Sequence, residues 1–369
     1  MKKVVVYAIC KNEEKFVDRW MDSMKEADLI VVTDTGSTDG TVERLREKGA
    51  VVHVEEIKPW RFDVARNRSL DHVPEDADIC VCTDLDELFE PGWREKLERT
   101  WCKYEDAVYR QARYTYNWSL KPDGTPGVQF IYSKVHTRQG FRWRFPIHEW
   151  LEFIGEDRFR QFDVDGMVLN HYPDASKSRS SYLPLLEMAV EEDPDDDRMT
   201  YYLGREYFYH NQFDKAIKTL MAHLELPSAK WNEERGASMR WIAQSHFKMN
   251  RPGEGSKWYF KAMAETGHMR EPYVEFARCL YPFKDWPMIN YLIDEALKIT
   301  KRSPTYTNQD YTWDHTPYDY GSLACFYLGQ YDKALEYAQK AVALNPGDKR
   351  LRDNLRLVES RKALVKGGK

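Results

Sequence analysis

Short apolar runs alternate with segments of helical period along roughly the first 90 residues of this 369-residue chain. Lys3–Ile9 is a run of β-branched and apolar residues that predicts a strand, and Phe16, Val17, Trp20, Met21 and Met24 recur at the spacing of one helix face. Leu29–Thr33 predicts a second strand, stopped by the turn-forming Asp34-Thr35-Gly36-Ser37-Thr38-Asp39-Gly40. Thr41–Lys48 then predicts a short helix, Val51–Val54 a third strand, Asp63–His72 a helix, and Ile79–Thr83 a fourth strand that ends at Asp84-Leu85-Asp86. Continuous apolar strands alternating with helices predict a parallel sheet covered on both faces. Ligands of such sheets sit beyond the carboxyl ends of the strands. The polar clusters Asn12–Glu14, Asp34–Asp39 and Asp84–Glu87 all fall at that edge, which makes it the place to look for a site.

From about Ala107 to His171 the pattern turns aromatic and alternating, which predicts mixed strands and loops. After Pro173 it becomes helical. Leu203, Gly204, Tyr207, Phe213, Ala216 and Leu220 in Tyr201–Leu226, and Tyr331, Ala334, Ala341 and Pro346 in Tyr331–Pro346, resemble tetratricopeptide repeats. Weaker copies lie at Ile242–Ala262 and Phe276–Ala296. Lys301–Thr316 is too long for an inter-repeat turn, and reads equally as part of a binding face or as a loose insertion. The expected organisation is an α/β domain over 1–175 and a helical repeat domain over 176–369.

Composition narrows the class of protein. Charged residues make up 31% and hydrophobic ones 42%, as in ordinary globular chains, and the length exceeds what one core serves well. The net charge of −5 gives no support to a nucleic-acid partner. Aromatics reach 14%; most are expected in helix packing, with Trp118 and Trp143 also open to stacking on a sugar. The six cysteines show no zinc or CxxC spacing and are expected as buried free thiols. The apolar run at the start is too short for a signal peptide, and no stretch has the length of a membrane span. A cytoplasmic protein without a membrane partner is expected.

Asp84-Leu85-Asp86 carries the candidate chemistry. Two carboxylates flanking one apolar residue at a strand end can share a hard cation while the Leu points into the core. A cation there would neutralise a diphosphate as it leaves. A solvated acidic turn is the plainer reading of such a triplet taken alone.

Together, Ala8-Ile9-Cys10-Lys11-Asn12-Glu13-Glu14, Val32-Thr33-Asp34-Thr35-Gly36-Ser37-Thr38-Asp39-Gly40-Thr41, Ala65-Arg66-Asn67 and Thr83-Asp84-Leu85-Asp86 resemble, in order and spacing, the family 2 glycosyltransferases of GT-A fold. With Ile147-His148-Glu149, Asn170-His171-Tyr172 and the repeats, the chain resembles the bacterial and phage subgroup that includes glycocin S-glycosyltransferases. The resemblance implies a GT-A nucleotide-sugar-binding domain followed by tetratricopeptide-like repeats. It implies inverting transfer of a hexose or HexNAc from a UDP-sugar, with Mn2+ or Mg2+ as cofactor.

Residue by residue, the resemblance places Asp34 on a uracil-type base, Glu13 near the ribose, Arg66 on ribose or diphosphate, Asp84 facing ribose and metal, and Asp86 on the metal. Other roles stay open at two of these: Asp34 as an Asx turn or helix cap, and Arg66 as an exposed helix arginine in an ion pair. Glu149 is the candidate general base, with Glu152 and Asp174 as alternatives and an ion pair with Arg142 or Arg144 as the structural role. His171 is the candidate further metal ligand, a loop histidine bonded to a backbone carbonyl being the other reading. Asp39 is expected to cap the helix that opens at Thr41.

Repeats suggest a peptide or protein acceptor, with a modified nucleic-acid base as the alternative, and also a homo-oligomer built through their surface. Two rival functions remain. A nucleotidyltransferase would need a Gly- and Lys-rich phosphate loop, which Cys10-Lys11-Asn12-Glu13-Glu14 is not. A non-catalytic repeat scaffold that binds peptides would have no use for an intact Asp84 and Asp86.

Overall fold

The computed structural model describes residues 2–104, 108–121, 123–156, 158–174 and 182–367. The expected domain boundary at 175/176 lies outside them. By compactness the chain forms two units, Met1–Glu192 with Pro304–Tyr306, and Asp193–Ser303 with Thr307–Lys369.

In the first unit, β1 (Val4–Cys10) lies between β2 (Leu29–Asp34) and β4 (Ile79–Cys82), and β3 (Val51–Val54) flanks β2, all parallel. Apolar side chains fill both faces of β1, so the run of valines that predicts a central strand forms one. The helices that return the chain are α1 (Glu14–Met24), α2 (Thr41–Glu47) and α3 (Phe62–Asp71). All five apolar residues expected on one face of α1 are buried.

Beyond β4 the sheet stops being parallel. β7 (Gln129–Thr137) joins β4 antiparallel, and β6 (Tyr109–Asn117) joins β7 antiparallel. β10 (Arg160–His171) then runs parallel to β6, and β5 (Glu87–Phe89) closes the edge antiparallel to β10. The result is one eight-stranded mixed sheet in the order β3-β2-β1-β4-β7-β6-β10-β5. The first four strands thus form the parallel sheet expected of them, and the later segment adds the mixed strands expected of it. Within the alternating aromatic segment β6 and β7 pair through a hairpin-like reversal, for which no crossover helix is needed. A separate hairpin, β8 (Phe141–Arg144) with β9 (Trp150–Phe153), stands outside the sheet. The helices α4 (Trp93–Trp101) and α5 (Tyr182–Glu192) complete the unit.

The second unit is helical throughout. Its helices pair as α6 (Asp197–Tyr209) with α7 (Phe213–Glu225), α8 (Asn232–Lys248) with α9 (Pro252–Glu265), α10 (Glu271–Leu280) with α11 (Trp286–Lys298), and α12 (Thr316–Tyr327) with α13 (Tyr331–Leu344). The helix α14 (Lys349–Gly367) follows. Small residues set the crossings. A Cβ on Gly204 would come within 2.5 Å of Leu220, and one on Gly321 within 2.7 Å of Tyr337, sixteen positions further along in both cases. First and last pairs thus use the same device to bring their helices close.

The segment Lys301–Thr316 is not loose where the second unit holds it. The buried Glu271 accepts from the Gln309 amide at 3.1 Å, the Thr312 hydroxyl at 3.0 Å and the Trp313 indole at 3.3 Å. Arg240 donates to the Thr307 carbonyl at 2.8 Å and pairs with Glu275 at 2.5 Å. Buried polar groups that satisfy one another fix the insertion onto α8 and α10. Among the described residues, no helix is long and apolar enough to cross a membrane.

Candidate active site

The carboxyl ends of β1, β2 and β4 share one edge, and register puts Cys10 opposite Asp34. The loops that follow β1 and β2 are stitched together there. The Asn12 amide donates to Ser37 Oγ at 2.8 Å, Asn12 Oδ1 accepts from the Thr38 amide at 2.8 Å, and the Glu13 amide donates to Thr41 Oγ1 at 2.8 Å. Asn12 adopts a left-handed φ of 55°, a conformation asparagine tolerates, and this aims its side chain at the facing loop. The N-cap position of α2 is Gly40 and not Asp39, which corrects the expected cap: Asp39 accepts from the Thr41 amide at 3.1 Å in an Asx-type turn just ahead of the helix.

Asp34 is buried. Its Oδ1 accepts from the Gly36 amide at 3.0 Å and the Ser37 amide at 2.9 Å, an Asx-type turn, while Oδ2 takes the Ser37 hydroxyl and the Cys10 thiol. A carboxylate has about four lone-pair sites and these four donors occupy them, so a ligand N–H would take the place of the weakest donor, the Cys10 thiol at 3.4 Å. Glu13 is buried at the N-cap of α1.

Arg66 organises the other half of the site. It sits on α3, only 4% exposed, where an exposed helix arginine was the alternative expectation. Its Nη2 donates to both Asp84 oxygens, at 2.8 and 3.1 Å, and its Nε donates to Glu149 Oε1. The next residue, Asn67, holds the hairpin that delivers Glu149: its side chain donates to the Trp143 carbonyl at 2.8 Å and accepts from the Trp143 amide at 2.9 Å. Trp143 is itself core. Its ring lies under the Arg66 guanidinium at 5.2 Å and its indole donates to the Tyr7 hydroxyl at 3.0 Å. Tyr7 in turn meets His136 Nε2 at 2.8 Å. Burial pushes the His136 imidazole down to about 3, so it stays neutral and accepts from Tyr7. Glu149 therefore pairs with Arg66, while Arg142 pairs with Asp71 and Arg144 with Glu152. Asp174 pairs with Lys15 at 2.7 Å.

Two site residues were not singled out from the sequence, Lys134 and Glu87. Lys134 lies buried on β7, 3.3 Å from Asp84 and 3.4 Å from Glu87. Glu87 accepts from the Asp84 amide at 2.9 Å and from the Tyr116 hydroxyl at 2.8 Å. The signal for Lys134 was available: it shares the inward parity of His136 on an alternating strand, a place where a lysine needs a carboxylate partner. Burial alone would raise the pKa of Asp84, yet Arg66 and Lys134 outweigh it and hold the carboxyl well below the usual carboxylate range. At Glu87 burial wins, with Asp84 and Asp86 adding to it, and the pKa is raised despite Lys134.

Leu85 is buried as expected, which leaves Asp86 on the open side of the strand end. Its carboxylate stands 3.6 Å from His171 Nε2. His171 Nδ1 lies 3.0 Å from the Trp118 carbonyl, which can only accept, so Nδ1 carries the proton and Nε2 faces Asp86. The bond to a backbone carbonyl expected of His171 is present, and its other nitrogen points at a carboxylate. Burial lowers its pKa, but Asp86 outweighs burial and the net shift is upward. Trp118 stacks on the His171 ring at 4.7 Å and remains half exposed, the one of the two candidate stacking tryptophans with a free face.

The donor set fits a divalent cation. Four carboxylates, Asp84, Asp86, Glu87 and Glu149, face two fixed cations, Arg66 and Lys134, so about two negative charges remain to be balanced. One carboxylate and one imidazole, both on Asp86–His171, would hold the ion and leave its other positions to phosphate oxygens and water, the usual division for magnesium or manganese.

Residues 5–149 match the model of glycosyl transferase family 2, and residues 322–348 match that of a tetratricopeptide repeat. The N-terminal domain is a family 2 glycosyltransferase domain. The matched stretch runs from β1 to Glu149 and so contains the stitched loops, Arg66 and the Asp84-Leu85-Asp86 triplet. Solved structures similar to this chain include the APC/C hetero-tetramer Cut9–Hcn1, 14% identical over 50% of this chain and 33% of that chain, with a TM-score of 0.40. Pseudomonas aeruginosa pilF is 13% identical over 48% and 72%, with a TM-score of 0.37, and yeast Tom70 is 16% identical over 52% and 38%, with a TM-score of 0.39. At these scores the likeness carries no argument about activity or partners. The chain spans about a third of the Cut9–Hcn1 chain it matches. No curated protein matches it.

Of the six cysteines, all free, five are buried or partly buried and Cys102 is exposed, which corrects the expectation that all are buried. It follows the amphipathic α4, whose buried face is carried by Trp93, Leu97 and Trp101.

Proposed function

We propose that the chain is a cation-dependent, inverting glycosyltransferase that moves a hexose or HexNAc from a UDP-sugar to a peptide or protein acceptor. The observation that carries this reading is Arg66, which ties Asp84 and Glu149 into one cluster at the strand end where Asp86 faces His171. The nucleoside is assigned to the β1 and β2 loops, with the base against Asp34 and the ribose near Glu13. Asp84 faces the ribose and the cation, and the Arg66 fork suits ribose or diphosphate oxygens. Asp86 and His171 hold Mn2+ or Mg2+, which when bound neutralises the diphosphate as a leaving group. Trp118 offers a ring on which a sugar can stack.

Glu149 is assigned as general base. It takes the proton of the acceptor hydroxyl or thiol as that atom bonds to the anomeric carbon, while the bond from that carbon to the diphosphate oxygen breaks on the opposite face. In the free protein its carboxylate is paired with Arg66, whose charge a bound diphosphate would share. Glu149→Gln is expected to bind UDP normally and lose transfer by at least about a hundredfold. Measuring both separates two roles: loss of UDP affinity together with transfer would make Glu149 a positioning residue for Arg66.

The repeat domain is assigned to the acceptor, since stacked helix pairs present extended surfaces that suit chains. Donor hydrolysis across a panel of UDP- and GDP-sugars tests the donor assignment. UDP-hexose or UDP-HexNAc turnover with silence toward GDP-sugars is expected, and the reverse preference would overturn it.

A further inference from the structure

The repeat domain holds a cluster of ligating side chains that the glycosyltransferase reading does not use. Asp197 opens α6, His223 lies in the last turn of α7 and Glu234 in the first turn of α8. One ligand atom from each lies within 4.8 Å of the other two. His223 is fully buried, and its Nε2 has no hydrogen-bond partner among the described residues; Glu234 Oε1 stands 3.4 Å from it at an ion-pair separation. An imidazole nitrogen left without a hydrogen bond in the interior costs stability unless something else occupies it.

We propose that Asp197, His223 and Glu234 bind a zinc-class divalent ion that ties the first helix pair of the repeat domain to the helix that follows. Three features of the cluster support this. First, ligands about 2.1 Å from a tetrahedral ion stand about 3.4 Å apart, the separation of His223 Nε2 and Glu234 Oε1. Second, His223 Nδ1 lies 2.9 Å from the buried Ser238 hydroxyl, which can accept its proton and so leave Nε2 as a bare lone pair, the orienting partner that ligating histidines use. Third, Asp197 is only partly buried, which gives a solvent molecule access to the fourth position, and it lies beside the helix cap without serving as it: Asp196 accepts the Met199 amide at 2.7 Å. One imidazole with two carboxylates suits zinc, and cobalt substitutes for it spectroscopically. This site is independent of the Asp86–His171 pair, and the two are tested apart.

The test uses the full chain carrying Asp86→Asn, so that the glycosyltransferase site does not contribute, with zinc alone as the probe. Equilibrium dialysis is expected to give one zinc per chain. Zinc is expected to raise the unfolding temperature of the repeat domain by about 5 °C at saturating metal. Adding Asp197→Asn, a change at a partly exposed helix start that the fold tolerates, is expected to weaken zinc at least tenfold and remove the thermal shift, without altering the metal-free unfolding temperature. Cobalt is expected to show tetrahedral visible absorption that the same change abolishes. A plain His223–Glu234 ion pair predicts none of this. No bound zinc, or zinc bound as tightly after Asp197→Asn, would overturn the proposal.

Discussion

Replacing Arg66 with alanine is expected to destabilise the N-terminal unit by about 3–5 kcal/mol and to abolish transfer, the scale seen when one partner of a buried ion pair is removed. The guanidinium is buried between Asp84 and Glu149 and over the Trp143 ring. Without it, two carboxylates face each other with Lys134 as the remaining cation near Asp84. The pH dependence follows from the same contacts. Asp84 is held well below the usual carboxylate range, so its pairing contributes fully above the unfolded-state pKa and is lost as pH falls through the folded one. Arg66→Ala removes most of that downward shift, so the variant is expected to lose its remaining stability at a higher pH than the wild type on acidification. Arg66→Lys keeps a charge but no fork, and is expected to recover part of the stability and little of the transfer. Urea unfolding at several pH values measures this. A loss below about 1 kcal/mol would show that Arg66 behaves as a surface arginine.

The first half of the sheet was legible in the sequence because its elements are local. Val4–Cys10 and α1 carry their burial in their own period, and the strand ends announce themselves as polar clusters. The triplet Asp84-Leu85-Asp86 needed only strand alternation to place Leu85 inside and Asp86 at the open edge. What the sequence did not disclose depends on which distant segments meet. Lys134 reaches Asp84 because β7 pairs antiparallel with β4, fifty residues away in the chain, and no local pattern fixes that pairing. Glu149 meets Arg66, and not the nearer Arg142 or Arg144, because Asn67 binds the backbone of Trp143 and turns the hairpin toward α3.

The repeats show the same division. The first and last helix pairs were readable through Gly204, Leu220, Ala334 and Ala341, which repeat a packing rule. The copy expected at Ile242–Ala262 begins in the middle of α8. That helix is buried on nearly every side, Glu234 and Arg240 included, so it has no single apolar stripe for a period to reveal. Lys301–Thr316 stayed open between part of a binding face and a loose insertion because its anchors, Glu271, Glu275 and Arg240, lie on other helices.

On the proposed function, donor binding depends on a cation held by Asp86 and His171. Calorimetry of UDP with wild type and Asp86→Asn, each with and without manganese, tests this dependence. Wild type is expected to bind UDP with manganese and to lose at least about tenfold in affinity without it, because a diphosphate would otherwise meet uncompensated carboxylates. Asp86→Asn is expected to fold normally, to bind UDP at the cation-free affinity whether or not manganese is present, and to lose transfer by about a thousandfold, several kcal/mol of transition-state stabilisation. Equal UDP affinity in all four titrations would show that donor binding does not depend on a cation at Asp86 and His171.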